Sequence, residues 1–336
     1  MEFSVRYTGL TVVLCISLLA GTVHAATEWR VSLWGERREF TEHVERLAEM
    51  LADKTNGDFT LSLHYGGLAP NTENLDGIAA GDFEMAQICA GYHPEKNPAL
   101  TVLELPFLGV KNLSEEIRVS MAVYRHPAVM KEMQGWNAMI LMPSPLPQYN
   151  IIGSGPAPSS LDDFAGMKIR ATGGIAEALG ILGASSVSLP ATEVRQALDS
   201  GSINGASFAP HAHMSFGTVE GANWWTTNLN PGTVNCPVVV NTRALSRLSS
   251  DHRSALASSI PGALSHYVAV YGRQTFDNWR PTLEAKGIEQ ITFSPQELER
   301  LRSVVTQPTA EAWIQQMDGL GLPGRDLYEL VISNIN

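Results

Sequence analysis

The chain is short of cysteine, of positive charge and of long apolar runs, and each shortage removes a class of function. Its 336 residues include three cysteines, Cys15, Cys89 and Cys236. None has the flanking spacing of a zinc motif. Cys89 and Cys236 either pair in an oxidising compartment or remain single buried thiols. Lysine and arginine number 23 against 34 acidic residues, a formal net charge of −11. That balance argues against nucleic acid or an anionic membrane as a partner. It leaves room for an acidic small molecule, because one buried arginine sets the field of a cleft. Catalytic signatures are missing as well. There is no G-x-S-x-G elbow for a hydrolase, and Gly173-Gly174 does not supply the G-x-G-x-x-G of a hydride-transfer enzyme. Carboxylate pairs such as Glu115-Glu116 read as solvated helix faces. The H-x-H at His211 and His213, read on a strand, has no nearby Cys, Asp or Glu to complete a metal site, so it reads as polar lining. No cofactor, metal or enzymatic activity is expected.

What is present is a leader followed by alternating strands and helices. Arg6 precedes an apolar run at 10–20, and Val23-His24-Ala25 offers small residues for a peptidase. This pattern predicts a secretory signal peptide at 1–25, cut after Ala25. The run is too short to span a bilayer comfortably, and no later stretch is apolar enough to do so. The mature chain is expected to be exported and soluble. At 44% hydrophobic and 17% charged it can build two cores.

The densest pattern lies at 163–207, DFAGMKIRATGGIAEALGILGASSVSLPATEVRQALDSGSINGAS. A strand at 167–171 ends in Ile169-Arg170. A helix follows with Ile175, Leu179 and Leu182 on one face and Gly183 at its end. A second strand (186–189), a second helix from Thr192 to Gly201 and a third strand (203–208) complete a β-α-β-α-β unit and a parallel sheet. The same succession opens the mature chain: a strand at 29–34, a helix at 36–54, a strand at 59–65, a helix from Leu75 and a strand at 84–90. Helix at 113–133 is interrupted by His126-Pro127, and a strand at 138–142 leads into a proline-rich connector at 143–158 that marks a crossing between lobes. The adjacent Trp224 and Trp225 sit on a strand and point to opposite faces. The apolar run 236–241 reads as a buried strand, and 243–279 as a long helix with Pro261 as its kink or break. A strand at 288–293 and two closing helices end the chain.

Arg170 carries the chemistry. It stands where a strand gives way to a glycine turn, and in open α/β sheets ligands bind beyond the carboxyl ends of strands. A guanidinium there matches a carboxylate with two parallel hydrogen bonds. The run DFAGMKIR…LGA…V.LP..EV..ALDSGSINGASF resembles the signature of solute-binding proteins of tripartite ATP-independent periplasmic (TRAP) transporters, the DctP type. Residues 49–87 and Leu103–Val110 (LELPFLGV) resemble further motifs of that family. The resemblance implies an α/β, two-lobed periplasmic binding protein fold, with a cleft between two α/β domains and a long helix spanning both. Residues 26–149 with about 237–275 would form lobe I, and 150–236 with about 276–336 lobe II. It implies that Arg170 clamps the solute carboxylate. It further implies that Trp34, Gly67, Leu68 and the Gly91-Tyr92-His93 loop line one wall, and that residues 207–211, including Ser207, Phe208 and His211, contact solute, with Trp225 within reach. A second arginine often stands near the start of the connector in that family. Here Gln148, Tyr149 and Asn150 take its place, which favours a monocarboxylate over a dicarboxylate and leaves Tyr149 and Asn150 as neutral donors. The implied partners are a small carboxylate solute and the small and large TRAP membrane subunits. The chain would act as a periplasmic monomer, and a sensor of the same solute class is the alternative.

Overall fold

The computed structural model describes residues 1, 26–66 and 68–335. The expected signal segment and Gly67 lie outside the described residues. The first unit contains β1 (Thr27–Leu33), α1 (Glu42–Lys54), β2 (Phe59–Tyr65), α2 (Asn74–Ala80), β3 (Met85–Gln87), α3 (Leu113–Tyr124), α4 (Pro127–Gly135) and β4 (Ala138–Pro143). The chain then crosses to β5 (Asn150–Gly153), β6 (Lys168–Arg170), α5 (Gly173–Ile181), β7 (Ser185–Val187), α6 (Val194–Asp199), β8 (Gly205–Phe208), α7 (Pro210–Ser215) and β9 (Trp224–Thr226). It returns through β10 (Pro237–Asn241), α8 (Thr242–Arg247) and α9 (Ser250–Tyr271). It closes with α10 (Asp277–Ala285), β11 (Glu289–Ile291), α11 (Pro295–Gly319) and α12 (Gly324–Ser333).

Two sheets result, ordered β2-β1-β3-β10-β4 and β11-β9-β5-β8-β6-β7. The β-α-β units form their parallel parts: β1 pairs with β2 from Thr27↔Phe59 to Leu33↔Tyr65, and β6 lies parallel to β7 and β8. The strands that follow a crossing, β5 and β10, run antiparallel to their neighbours. Strand alternation divides each core in two. Ala86, Ile88 and Val239 pack with Leu75, Val119 and Leu327 on one face of the first sheet, while Met85, Val238 and Val240 pack with Val44, Leu47 and Leu264 on the other. Burial on both faces is why β10 reads as an unbroken apolar run.

The long helix is present, and its irregularity is not where proline suggested. Pro261 lies inside α9 without breaking it. Pro261 and Ala257, whose carbonyl loses its helical donor, are both on the solvent side, where water satisfies the freed group. The path instead loosens into a π-helical turn at Gly272–Phe276. There it passes from α9, packed over the first sheet through Leu256 and Leu264, to α10, whose Trp279 and Leu283 pack under the second.

Three expectations change. His211 and His213 sit on the short helix α7 rather than a strand, because Pro210 opens a helical turn. Glu115 and Glu116 are buried, since other elements close over that face of α3. The carboxy-terminal segment is shared between lobes: Leu298, Leu301 and Val305 join the core of the second sheet, whereas Trp313, Met317, Leu327 and Val331 join that of the first.

Candidate solute-binding cleft

The carboxyl ends of β1, β3, β6 and β8 converge on one cavity between the sheets, the position an open α/β sheet offers a ligand. Trp34, Arg38 and Phe40 follow β1, and Cys89, Gly91 and Tyr92 follow β3. Arg170 and Thr172 end β6, and Phe208, His211, Ala212 and Phe216 end or follow β8. The two crossing segments add Leu146 and Tyr149, and Val234 and Cys236. The free space is small, ≈ 30 Å³, so the lobes are nearly closed on one another.

Arg170 is 2% exposed. Its Nε donates to the Leu189 carbonyl at 3.0 Å and its Nη1 to the Ser207 carbonyl at 3.2 Å, and the Phe208 ring lies 4.4 Å beneath it. The protein thus fixes the plane of the guanidinium and leaves Nη2 without a partner among the described residues.

A second arginine shares the cavity. Arg38 is buried, its guanidinium 4.6 Å from the Trp34 ring, 5.3 Å from Phe40 and 5.2 Å from Phe216. Its Nη1 donates to the Trp34 and Glu36 carbonyls at 2.9 and 2.7 Å, while Nε and Nη2 have no partner among the described residues. Gly35, at φ +73°, makes this fold-back possible; a Cβ there would meet the Arg38 Nη1 at 2.8 Å. Desolvation pulls the Arg38 guanidinium down to about 10, so it stays charged at neutral pH. No carboxylate lies within ion-pair distance of either arginine among the described residues. Buried charge without a counterion is costly, and a cavity holding two such cations attracts anions.

One carboxylate stands behind the cavity. Glu104 Oε1 accepts from the backbone N–H of Gly91 at 3.0 Å and of Asn235 at 2.9 Å, and its Oε2 has no partner among the described residues. Burial pushes Glu104 up to about 7, opposed by these two donors and by Arg170. Asn235 continues the buried polar chain: its amide donates to Ser120 Oγ at 3.3 Å, and Ser120 donates to Glu116 at 3.0 Å. Aromatic faces close the rest. Trp34 stacks on Phe216 with centroids 6.5 Å apart and 7° between planes, and Phe40 stacks on His211 at 5.5 Å. The His211 Nδ1 lies 2.7 Å from the Tyr271 hydroxyl of the long helix, and burial holds this imidazole far below its usual range, hence neutral.

Of the residues expected at the site, Trp34, Tyr92, Tyr149, Arg170, Phe208 and His211 line the cavity. The others do not. Leu68 packs against the core of the first lobe. Asn150 spends its side-chain amide on the Thr226 carbonyl. Ser207 is fully buried and contributes its carbonyl to Arg170. Trp225 packs edge-on against Trp279 on the far face of the second sheet, where α10 covers it. His213 turns away from His211, to Thr218 and the Asn150 carbonyl. Cys89 and Cys236 form a disulfide across the neighbouring β3 and β10, in the cavity wall. The second arginine, sought in the connector, comes from the loop after β1. The helix expected from residue 36 begins at Glu42, which leaves Arg38 in a loop.

Two α/β lobes joined by repeated crossings, with cations buried in the cleft between them, define a two-lobed solute-binding protein. The chain belongs to the bacterial extracellular solute-binding protein family 7 (DctP), which it matches over residues 31–316. It is thus a solute receptor of the TRAP type and not an enzyme. It is 25% identical over 273 residues to a monocarboxylate 2-oxoacid-binding periplasmic protein of Nostoc, a match covering 73% of this chain and 69% of that one. Its fold superimposes on a marine-metagenome TRAP solute-binding protein specific for aromatic acids, in complex with metahydroxyphenylacetate. There the TM-score is 0.82 at 20% identity, over 92% of this chain and 98% of that one. It also superimposes on DctP7 of Bordetella pertussis, a receptor binding pyroglutamic acid, with TM-score 0.79 at 18% identity, over 91% and 99%.

Proposed function

We propose that this protein captures a small organic acid outside the cytoplasm, holds its carboxylate on Arg170 and delivers it to TRAP membrane subunits for uptake. The observation that carries this reading is the pair of buried guanidinium groups without a counterion among the described residues, in a cavity otherwise lined by neutral and aromatic side chains. The acid ligands named for its relatives support it. The lobes, about 26–149 with 237–275 and 150–236 with 276–336 apart from the shared terminal helices, close around the solute by a hinge at the crossings. The protein acts as a monomer, exported by a leader cut near Ala25.

A thermal-shift screen of the mature protein against carboxylic acids, amines and sugars tests the reading. A ligand at one hundred times its Kd adds about 2.7 kcal/mol to stability, a rise of several degrees. Acids are expected to stabilise the wild type and to lose that effect in Arg170→Ala. Hits confined to uncharged sugars, or unchanged acid stabilisation in a folded Arg170→Ala protein, would sink the clamp.

A further inference from the structure

We propose that Glu104 is a proton-binding site at the contact between the lobes, and that closure around the solute draws one proton from solvent onto its Oε2. The proposal rests on the cleft being an acid receptor and goes beyond it in adding a second ligand, the proton. Glu104 ends the 3-10 turns Pro98–Glu104 of the first lobe. Both backbone donors that reach it, Gly91 and Asn235, meet Oε1, so Oε2 is the oxygen left to carry a proton. Gly91 flanks Oε2 from its own lobe, and Gly173, the first residue of α5, flanks it from the other. A Cβ on Gly91 would sit 2.6 Å from Oε2, and one on Gly173 closer still. The second lobe thus supplies part of the cover that dries this oxygen. With the lobes apart, α5 withdraws, Oε2 meets water, and a carboxylate there is ionised at neutral pH. With them closed, Glu104 is 2% exposed, and a negative charge on Oε2 has neither water nor a donor to support it.

Charge and access lead the same way. In the closed form desolvation outweighs the two backbone donors and Arg170, and pushes Glu104 up to about 7. A solute carboxylate on Arg170 offsets that cation and adds a negative charge, and both changes favour the neutral carboxyl. The other groups around Glu104 are neutral or acidic. They are Tyr149 from the crossing segment, Tyr124 and Glu116 from α3 by way of Asn235 and Ser120, and Glu95 and Glu177 across a second cavity. Burial raises both tyrosines, which keeps them protonated. The second cavity, ≈ 620 Å³, is lined by Gly91, Glu104, Gly173 and Gly174 and by the exposed Glu95 and Glu177. It runs from solvent to Glu104 without passing the two arginines, so the proton has a route of its own. Because the closed value lies above the open one, the proton's contribution to affinity is full below the ordinary carboxylate range. It is lost as the pH rises through about 7.

Isothermal titration of the mature protein tests this, with whichever of pyruvate, pyroglutamate and metahydroxyphenylacetate raises its melting temperature most. The carboxyls of these acids are ionised from pH 6 to pH 9, so they bring no proton. Titrations in buffers of different ionisation enthalpy read the uptake directly. At pH 7 at least about half a proton per bound acid is expected, falling towards zero by pH 9. Affinity should rise about tenfold from pH 9 to pH 6. In Glu104→Gln, which copies the neutral carboxyl, uptake should fall near zero and affinity should stop depending on pH. Glu116→Gln and Glu177→Gln, which remove the neighbouring carboxyls, should keep the wild-type uptake. A purely structural Glu104 predicts an equal loss of affinity at every pH in Glu104→Gln, with uptake unchanged. Should Glu104→Gln not fold, the wild-type series and the other two variants still decide. No uptake by the wild type between pH 6 and pH 7.5 would overturn the proposal and leave the receptor reading standing. So would uptake that persists in Glu104→Gln, or that disappears in Glu116→Gln or Glu177→Gln. Failure of every acid to bind would remove both readings.

Discussion

Gly174 offers a way to hold the lobes apart without touching the solute. It lies in the first turn of α5, on the second lobe, and faces the loop after Pro98 of the first. A Cβ built on Gly174 would sit 2.2 Å from the Glu104 carbonyl oxygen, 2.6 Å from Pro106 Cδ and 2.8 Å from Pro106 N. Ordinary contact begins near 3.4 Å, and backbone atoms cannot rotate aside. The methyl of Gly174→Ala therefore has to push the lobes apart. Overpacking of this kind costs about 1–3 kcal/mol, which falls on the closed state alone and weakens binding by roughly fivefold to over a hundredfold. Within the helix the same change is favourable by about 1 kcal/mol. The two effects separate in measurement. The melting temperature of the unliganded protein should hold or rise, while titration of the tightest acid from the screen shows the weaker Kd. Small-angle scattering should report a larger radius of gyration for the variant with acid present. A Kd within twofold of wild type and an unchanged scattering curve would refute the reasoning, because the α5 contact would then not govern closure.

Two further outcomes follow from buried groups. Burial pushes Glu116 up to about 8, opposed only by the Ser120 hydroxyl. An unfolded glutamate titrates near 4.3, so the stability this group contributes is full below that value and is lost as the pH rises through about 8. Glu116→Gln should match wild type at pH 4.5 and exceed its melting temperature by several degrees at pH 8.5, on the order of 5 kcal/mol; equal melting at both would show that Glu116 is not desolvated. The Cys89–Cys236 disulfide closes a separation of 147 residues, and its reduction should cost about 2–4 kcal/mol, read as a lower melting temperature in reductant that Cys89→Ser reproduces.

Much of this protein was legible from local pattern. Period-2 and period-3.6 hydrophobicity marked both β-α-β units and the long helix, and glycine after Ile169-Arg170 put that arginine at a strand end. Those features depend on a residue's neighbours along the chain, and backbone preference and amphipathicity act at that range. The family resemblance, taken over the whole chain, pointed to six residues that line the cavity, Arg170 among them. What the sequence could not settle was who neutralises whom, and which surfaces water reaches. Arg38 fell inside the helix expected at 36–54 and drew no functional reading, because nothing local reveals Trp34, Phe40 and Phe216 closing around it while Arg37 takes the carboxylates. Glu116 looked exposed for the same reason. Alternation put Trp224 and Trp225 on opposite faces, but only the packing of α10 decided that Trp225 faces Trp279 and not the cleft. The two cysteines became a bond through the antiparallel pairing of β3 with β10, which sets side by side two residues separated by 147 in sequence. Local structure is a property of short segments, whereas desolvation and charge pairing are sums over everything that folds against a group. Only the tertiary structure performs that sum.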